Sequence, residues 1–173
     1  MHEQLPNLLG AASLAVTDLV LARATGAGRV SASGAAALIV LADAPGLGVT
    51  ELGRRVRLTQ SAAARMVDGL EAAGLARRGR GEGRAVHVRL TPAGEDAVRD
   101  MLAARGTPLA GVLDVLDAGE RETFTALLAK LLTRLYAEIG DADVMCRLCD
   151  RRRCVAGAVC PVGQAERDAA GGV

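Results

Sequence analysis

Between Val49 and Leu90 the spacing of apolar residues changes from a helical to an alternating period, with almost no linker at any junction. Few arrangements accommodate that. Val49-Thr-Glu-Leu-Gly-Arg-Arg-Val56 and Thr59 to Ala73 read as two helices, the second opened by Thr59 as N-cap and closed by Gly74. On the second, Met66, Val67 and Leu70 face a core, opposite Gln60, Ser61, Ala64, Arg65 and Asp68. Leu75–Gly79 and Arg84–Leu90 then alternate apolar with polar, as half-buried strands do, around the glycine-rich tip Arg80-Gly-Glu-Gly83. Two helices joined by so short a turn form a helix-turn-helix, whose second helix suits the major groove of a duplex. The hairpin reads as a basic wing.

The flanks extend the helical pattern. Apolar residues recur at Leu5, Leu8, Leu9, Ala12, Val16, Leu19 and Val20, giving a first helix over 5–24 that ends at Gly26–Gly28. A second helix starts near Ser33 and stops at Pro45-Gly46. After the wing, Thr91 caps a helix with Pro92 at its first position; it runs to about Arg105, where Gly106-Thr-Pro108 interrupts or bends it. Asp117 and Glu120 form a capping box for a last long helix, 118–139, with Phe124, Leu127, Leu128, Leu131, Leu132, Leu135, Tyr136 and Ile139 on one stripe. The chain has 173 residues, one Phe, one Tyr and no Trp, so its core is aliphatic and alanine-rich. That suits close-packed helices more than a β-sandwich or barrel built on aromatic and β-branched residues. The fold class is therefore mainly α with a small β-wing: a domain over 1–140, with its core at 33–91, followed by a tail over 141–173. The longest strictly apolar run, Ala35–Ala42, is far shorter than the ~20 residues of a bilayer span. With no export signal, the expectation is a cytoplasmic protein without a membrane partner.

Charge is unevenly spread. Residues 54–89 hold nine arginines against Asp68, Glu71 and Glu82, a net +6 in a chain whose total is +1. Such asymmetry points to a polyanionic partner, double-stranded DNA first. Phosphate contacts by arginine release counterions and give affinity that falls with salt, while side chains on the second helix read base edges. Candidate contacts are Thr59, Gln60, Ser61, Ala64 and Arg65 on that helix, and Arg77, Arg78, Arg80 and Arg84 on the wing. His87, in the wing strand, reads as an exposed side chain or a phosphate contact. No Ser/His/Asp or paired-carboxylate arrangement stands out, so no enzyme is expected.

Val49–Gly94 resembles the MarR (multiple antibiotic resistance regulator) family of bacterial winged helix-turn-helix proteins. The resemblance is carried by Thr50-Glu-Leu52, Leu58-Thr-Gln-Ser61, Arg65 to Leu75, and Glu82-Gly-Arg84 followed by Val86-His-Val-Arg-Leu-Thr-Pro-Ala-Gly94. The family's wing usually reads Asp-x-Arg and is followed by Leu-Thr-x-x-Gly; here Glu82 replaces the Asp and Arg84 keeps the wing arginine. The resemblance implies a transcription regulator, a repressor in the first reading. It further implies a homodimer held by helices 5–24 and 118–139, reading a pseudo-palindromic operator. Family members often bind phenolic effectors between lobes; the scarcity of aromatics here gives little support for a stacking pocket and leaves an aliphatic one open.

All four cysteines lie in the tail, as Cys146-x2-Cys149-x4-Cys154-x5-Cys160-Pro161, outside the usual family pattern. In a chain without an export signal such a cluster suggests a metal or redox site rather than a disulfide framework. An iron–sulfur cluster of the [4Fe-4S] type, ligated by Cys146, Cys149, Cys154 and Cys160, is the first reading. Structural Zn2+ in a small-molecule-responsive repressor is the alternative, with only Cys146 and Cys149 forming a zinc-like knuckle. Thiol–disulfide switching is the third. Arg147, Arg151, Arg152 and Arg153 lower thiolate pKa values or make a second phosphate patch. Because the tail leaves the last helix, a cluster there is expected to brace the angle between subunits and report redox or iron status to the operator.

Overall fold

The computed structural model describes residues 4–80 and 86–171. The chain runs α1 (Gln4–Gly28), α2 (Ala32–Asp43), α3 (Val49–Arg55), α4 (Gln60–Ala72), β1 (Ala76–Arg80), β2 (Val86–Leu90), α5 (Pro92–Leu113), α6 (Ala118–Ile139), α7 (Ala142–Met145), α8 (Arg151–Cys154) and α9 (Pro161–Gly171).

The core is built around α2, which is apolar on all sides and buried from Gly34 to Leu41. Its N-cap is Ser31, whose hydroxyl accepts the Gly34 amide, two residues before the Ser33 expected from sequence. Ser33 is only two residues from Ser31 and bonds its hydroxyl; local patterning does not separate two such candidates. Leu52 and Val56 of α3, Val67 and Leu70 of α4, Val88 of β2, and Val98 and Met101 of α5 close around α2. Each buried aliphatic side chain contributes on the order of 1.5–3 kcal/mol. The core needs no aromatic ring, because small residues let the helices approach closely. A Cβ on Gly53 would sit 2.6 Å from that of Ala63, where α3 crosses α4.

Thr59 caps α4 by accepting the Ala62 amide, and Gly74 takes the left-handed conformation (φ +71°) that ends it. The strands pair antiparallel with Ala76 opposite Leu90, Arg77 opposite Arg89 and Arg78 opposite Val88. The turn into α5 explains the Leu-Thr-Pro-Ala-Gly sequence. Thr91 caps the helix by accepting the Gly94 amide and donates its hydroxyl to the Gly74 carbonyl at 2.6 Å. Gly94 faces the Leu75 carbonyl so closely that a Cβ there would overlap its oxygen.

α5 does not stop near Arg105. It continues through Pro108 to Leu113, so proline costs it one backbone hydrogen bond without ending it. Thr107 supports this turn by donating to the Ala103 carbonyl at 3.3 Å. α6 opens with the expected capping box, both halves of which form, and ends at Gly140 in the left-handed conformation.

α1 and α6 differ from the rest. α6 has no buried residue and α1 only Ala24. Phe124, Leu127, Leu131 and Leu135 are each 40–50% exposed, and Leu5, Leu8 and Leu14 are more so or comparable. α1 packs along α5. It is also long and apolar enough to cross a membrane, although Asn7, Ser13, Thr17 and Asp18 interrupt its apolar run.

The tail is structured. α9 lies along α6 and α7 touches α3, α6 and α9, with Ala142, Val144 and Val162 buried. Leu148 packs against the central core. The tail therefore sits against the α2–α4 lobe rather than trailing from α6.

Candidate nucleic-acid interface and cysteine module

The outer face of α4 carries Gln60, Ser61 and Arg65, all exposed, with Thr59 at its start. Ala64 is half-buried and its carbonyl accepts from Arg78 at 3.4 Å. These residues share one face because they recur at helical spacing, while Ala63, Val67 and Leu70 occupy the buried one.

The wing arginines divide into two kinds. Arg77 is exposed, on the strand face away from the core, directly opposite Arg89. Arg78 points inward: it pairs with Asp68 at 2.8 Å and with Glu71, whose other carboxylate oxygen accepts the Arg78 amide at 2.6 Å. Arg78, one of the expected DNA contacts, ties the wing to α4. Burial works against its charge, while bonds to Asp68 and Glu71 outweigh this and raise its pKa. Arg80 belongs to β1, where it pairs with Val86; Arg84 lies outside the described residues. His87 is half-buried with Nδ1 bonded to the Gly46 carbonyl, so its ring ties the wing to the loop before α3.

The four cysteines carry free thiols. Cys146, Cys149 and Cys160 are half-buried and Cys154 is exposed. Cys146 bonds Cys149, which raises the Cys146 pKa with burial adding to it; the same bond draws Cys149 down to about 6, assisted by the charges of Arg105 and Arg151. Burial, then a bond to Cys160, pushes Cys154 up to about 11. Among the described residues no three His, Cys, Asp or Glu side chains converge as a ready ligand set. A metal would have to displace the remaining thiol protons before these sulfurs could ligate it.

Sequence reasoning missed how the module is held. Glu51 accepts from Arg54 Nη2 and Arg55 Nε, both at 2.8 Å, and these bonds, Arg54 first, lower its pKa to about 2. Arg54 also pairs with Asp141, and Asp143 accepts from Arg54, Arg55 and Arg151 at 3.4, 3.2 and 2.8 Å. Arg151 reaches on to Asp43 at 3.2 Å. The only sequence trace is the alternation of Asp141, Asp143 and Asp150 with arginines. A cleft of about 840 Å3 separates the wing base, α5 and the tail, with Arg77, Arg89, Val98, Leu102, Cys149 and Arg151 among its walls.

A helix-turn-helix with an exposed polar face, followed by a two-stranded wing, defines a winged helix-turn-helix fold. Its particular type follows from likeness to known proteins. Residues 30–85, about a third of the chain, match the model of the MarR family. A MarR family protein from Bacillus stearothermophilus is 26% identical and superposes with a TM-score of 0.70, covering 77% of this chain and 94% of that one. Rv2887 of Mycobacterium tuberculosis, a MarR family protein solved with salicylic acid, is 28% identical with a TM-score of 0.56, covering 72% and 93%. MepR, regulator of the Staphylococcus aureus multidrug efflux pump MepA, shares the fold at 18% identity and a TM-score of 0.67, covering 74% and 96%. No curated protein matches the chain in sequence. The architecture is that of the MarR-type winged helix-turn-helix fold.

Proposed function

We propose that this chain is a cytoplasmic, homodimeric MarR-type regulator that binds a pseudo-palindromic operator and senses redox or iron status through a [4Fe-4S] cluster on Cys146, Cys149, Cys154 and Cys160. The observation that carries the DNA-binding part is the outward face of α4. Thr59, Gln60, Ser61 and Arg65 stand there, while the nearby acids Asp68 and Glu71 are held by Arg78. A duplex therefore meets cations and hydrogen-bonding groups with little opposing charge. The exposed stripes of α1 and α6 support dimerisation. So does the apolar recess of about 730 Å3 between the end of α5 and the start of α6, lined by Val112, Leu113, Leu116, Phe124 and Leu127. A second copy covers such surface most simply, and two-fold symmetry sets two recognition helices about one DNA turn apart.

For the cysteines, the support is their clustering at residues 146–160, with the charges of Arg105 and Arg151 favouring thiolate at Cys149 and able to offset an anionic centre. A bound iron–sulfur centre supplies sensitivity to oxidants and to iron supply; the chain supplies four ligands and their surrounding arginines. A structural zinc is the competing occupant, with an anionic small molecule in the 840 Å3 cleft as effector. The arginines there favour that ligand class, and the salicylic acid bound to Rv2887 is of the same class.

Two measurements test the proposal. Random-sequence duplexes selected by the dimer should bind with affinity that falls steeply with salt; absence of salt-sensitive retention on any duplex refutes the regulator. Anaerobically prepared protein should be brown and contain iron and sulfide lost in Cys149→Ser. Colourless protein with one zinc per chain establishes the alternative.

A further inference from the structure

The cleft of about 840 Å3 between the wing base, α5 and the tail has two unlike halves. One wall is aliphatic: Ile39 and Leu41 from α2, Leu90 from β2, and Val98 and Leu102 from α5. The rest carries six arginines against three acids, Asp43, Glu95 and Asp150. Three of those arginines are engaged within the chain: Arg99 by Asp96, Arg151 by Asp43 and Asp143, and Arg153 by Asp150. Arg77, Arg89 and Arg152 have no carboxylate partner among the described residues. Arg77 and Arg89 stand directly opposite each other across the strand pair, both exposed. Like charges so placed destabilise a sheet unless an anion lies between them. The Arg89 guanidinium also rests against Gly46, where a Cβ would sit 3.2 Å from its Nη2.

We propose that this cleft binds an aliphatic carboxylate, of the class of a medium-chain fatty acid anion, with its carboxylate between Arg77 and Arg89 and its chain along Ile39, Leu41, Val98 and Leu102. The proposal deepens the small-molecule reading of the cleft and rests on it; it needs no metal and no change at the cysteines. The cleft has the volume of an ordinary small-molecule site. Two guanidinium groups hold a carboxylate by charge-assisted hydrogen bonds. No aromatic ring lines the cleft, so a planar ring gains no stacking there, whereas a flexible alkyl chain fills an aliphatic wall as a core side chain does. A phosphate backbone finds arginines here too, but the aliphatic wall behind them offers nothing to a polyanion. Residues 149–153 of the tail complete the site. A bound carboxylate relieves the repulsion between Arg77 and Arg89 and removes positive charge from the wing base, which lowers affinity for duplex. By linkage, duplex lowers affinity for the carboxylate by the same factor.

The test is isothermal titration calorimetry of the full-length protein with octanoate, octanol, octylammonium, acetate and salicylate. Octanol and octylammonium keep the chain and lose the anion, acetate does the reverse, and salicylate exchanges the chain for a ring. Octanoate should bind saturably, a single molecule per chain, and about tenfold or more tightly than each of the others. Arg89→Ala should weaken octanoate binding by about tenfold or more, with a melting temperature near that of wild type. Ala103→Glu, which sets a carboxylate at an exposed position of the cleft wall, should do the same. Equal binding of octanoate and octanol, or binding of octanoate by both variants as by wild type, overturns the site. Salicylate binding as tightly as octanoate overturns the aliphatic class. With a duplex that wild type selects from random sequence, saturating octanoate should lower duplex affinity several-fold in wild type and leave that of Arg89→Ala unchanged. Unchanged affinity in wild type overturns the effect on DNA. Failure of every form to bind duplex refutes the regulator reading instead, and the calorimetry still decides the site.

Discussion

The lobe built on α2 and the pair α1–α6 solve the same problem in opposite ways. Both are rich in leucine, valine and alanine. In the lobe, Leu38, Leu41, Leu52, Val67 and Val88 are fully buried, whereas on α6 Phe124, Leu127, Leu131 and Leu135 stay close to half exposed. The lobe is complete within one chain; the long helices present an apolar face that one chain does not cover. An apolar stripe therefore says that a surface will be buried, and only the packing says by whom.

That contrast breaks most visibly on α6. Replacing Leu131 and Leu135 together by Glu should turn a dimer into a monomer in sedimentation and weaken selected duplex by about 100-fold or more, because two linked half-sites become independent. Far-ultraviolet circular dichroism of the lobe should barely change. Leu52→Ala should do the reverse, lowering unfolding free energy by about 2–5 kcal/mol in denaturant titration with the dimer contact intact. Gly94→Ala, which forces a methyl group onto the Leu75 carbonyl, should cost about 1–3 kcal/mol, a loss larger than helix propensity alone predicts.

Smaller effects sharpen the division between arginines. Arg65→Ala should weaken duplex binding and reduce the slope of log affinity against log salt by about one. Arg78→Ala should lower thermal stability and leave that slope unchanged, since its charge is already paired within the chain. The smallest effect concerns Glu51, whose pKa falls to about 2 beside Arg54 and Arg55. A depressed carboxylate stabilises above its ordinary pKa and loses that contribution as pH falls toward 2. The difference in melting temperature between wild type and Glu51→Gln should therefore narrow from about pH 7 to about pH 3.

Much of the lobe was legible residue by residue. Thr59, Gly74, Thr91, Pro92, Asp117 and Glu120 act as the caps their chemistry suggests, because capping is settled within four or five residues. Ser31 rather than Ser33, and a helix that continues through Pro108, went the other way. In both places a local preference of about 1 kcal/mol or a single hydrogen bond is outweighed by packing along a whole helix. At the interface, exposure of Gln60, Ser61 and Arg65 follows from helical period. The inward turn of Arg78 does not, because it depends on Asp68 and Glu71 arriving from another element.

The order of elements up to α6, most of their caps, the aliphatic core and the clustering of cysteines were determined by the sequence alone, since each depends on neighbours a few residues apart. Where the tail lies was decided only in three dimensions. Asp143 meets Arg54 and Arg55 across nearly ninety positions of chain. An ion pair at that separation has no periodic signature, and its partners are chosen by the packing of α7 and α9 against helices that precede them.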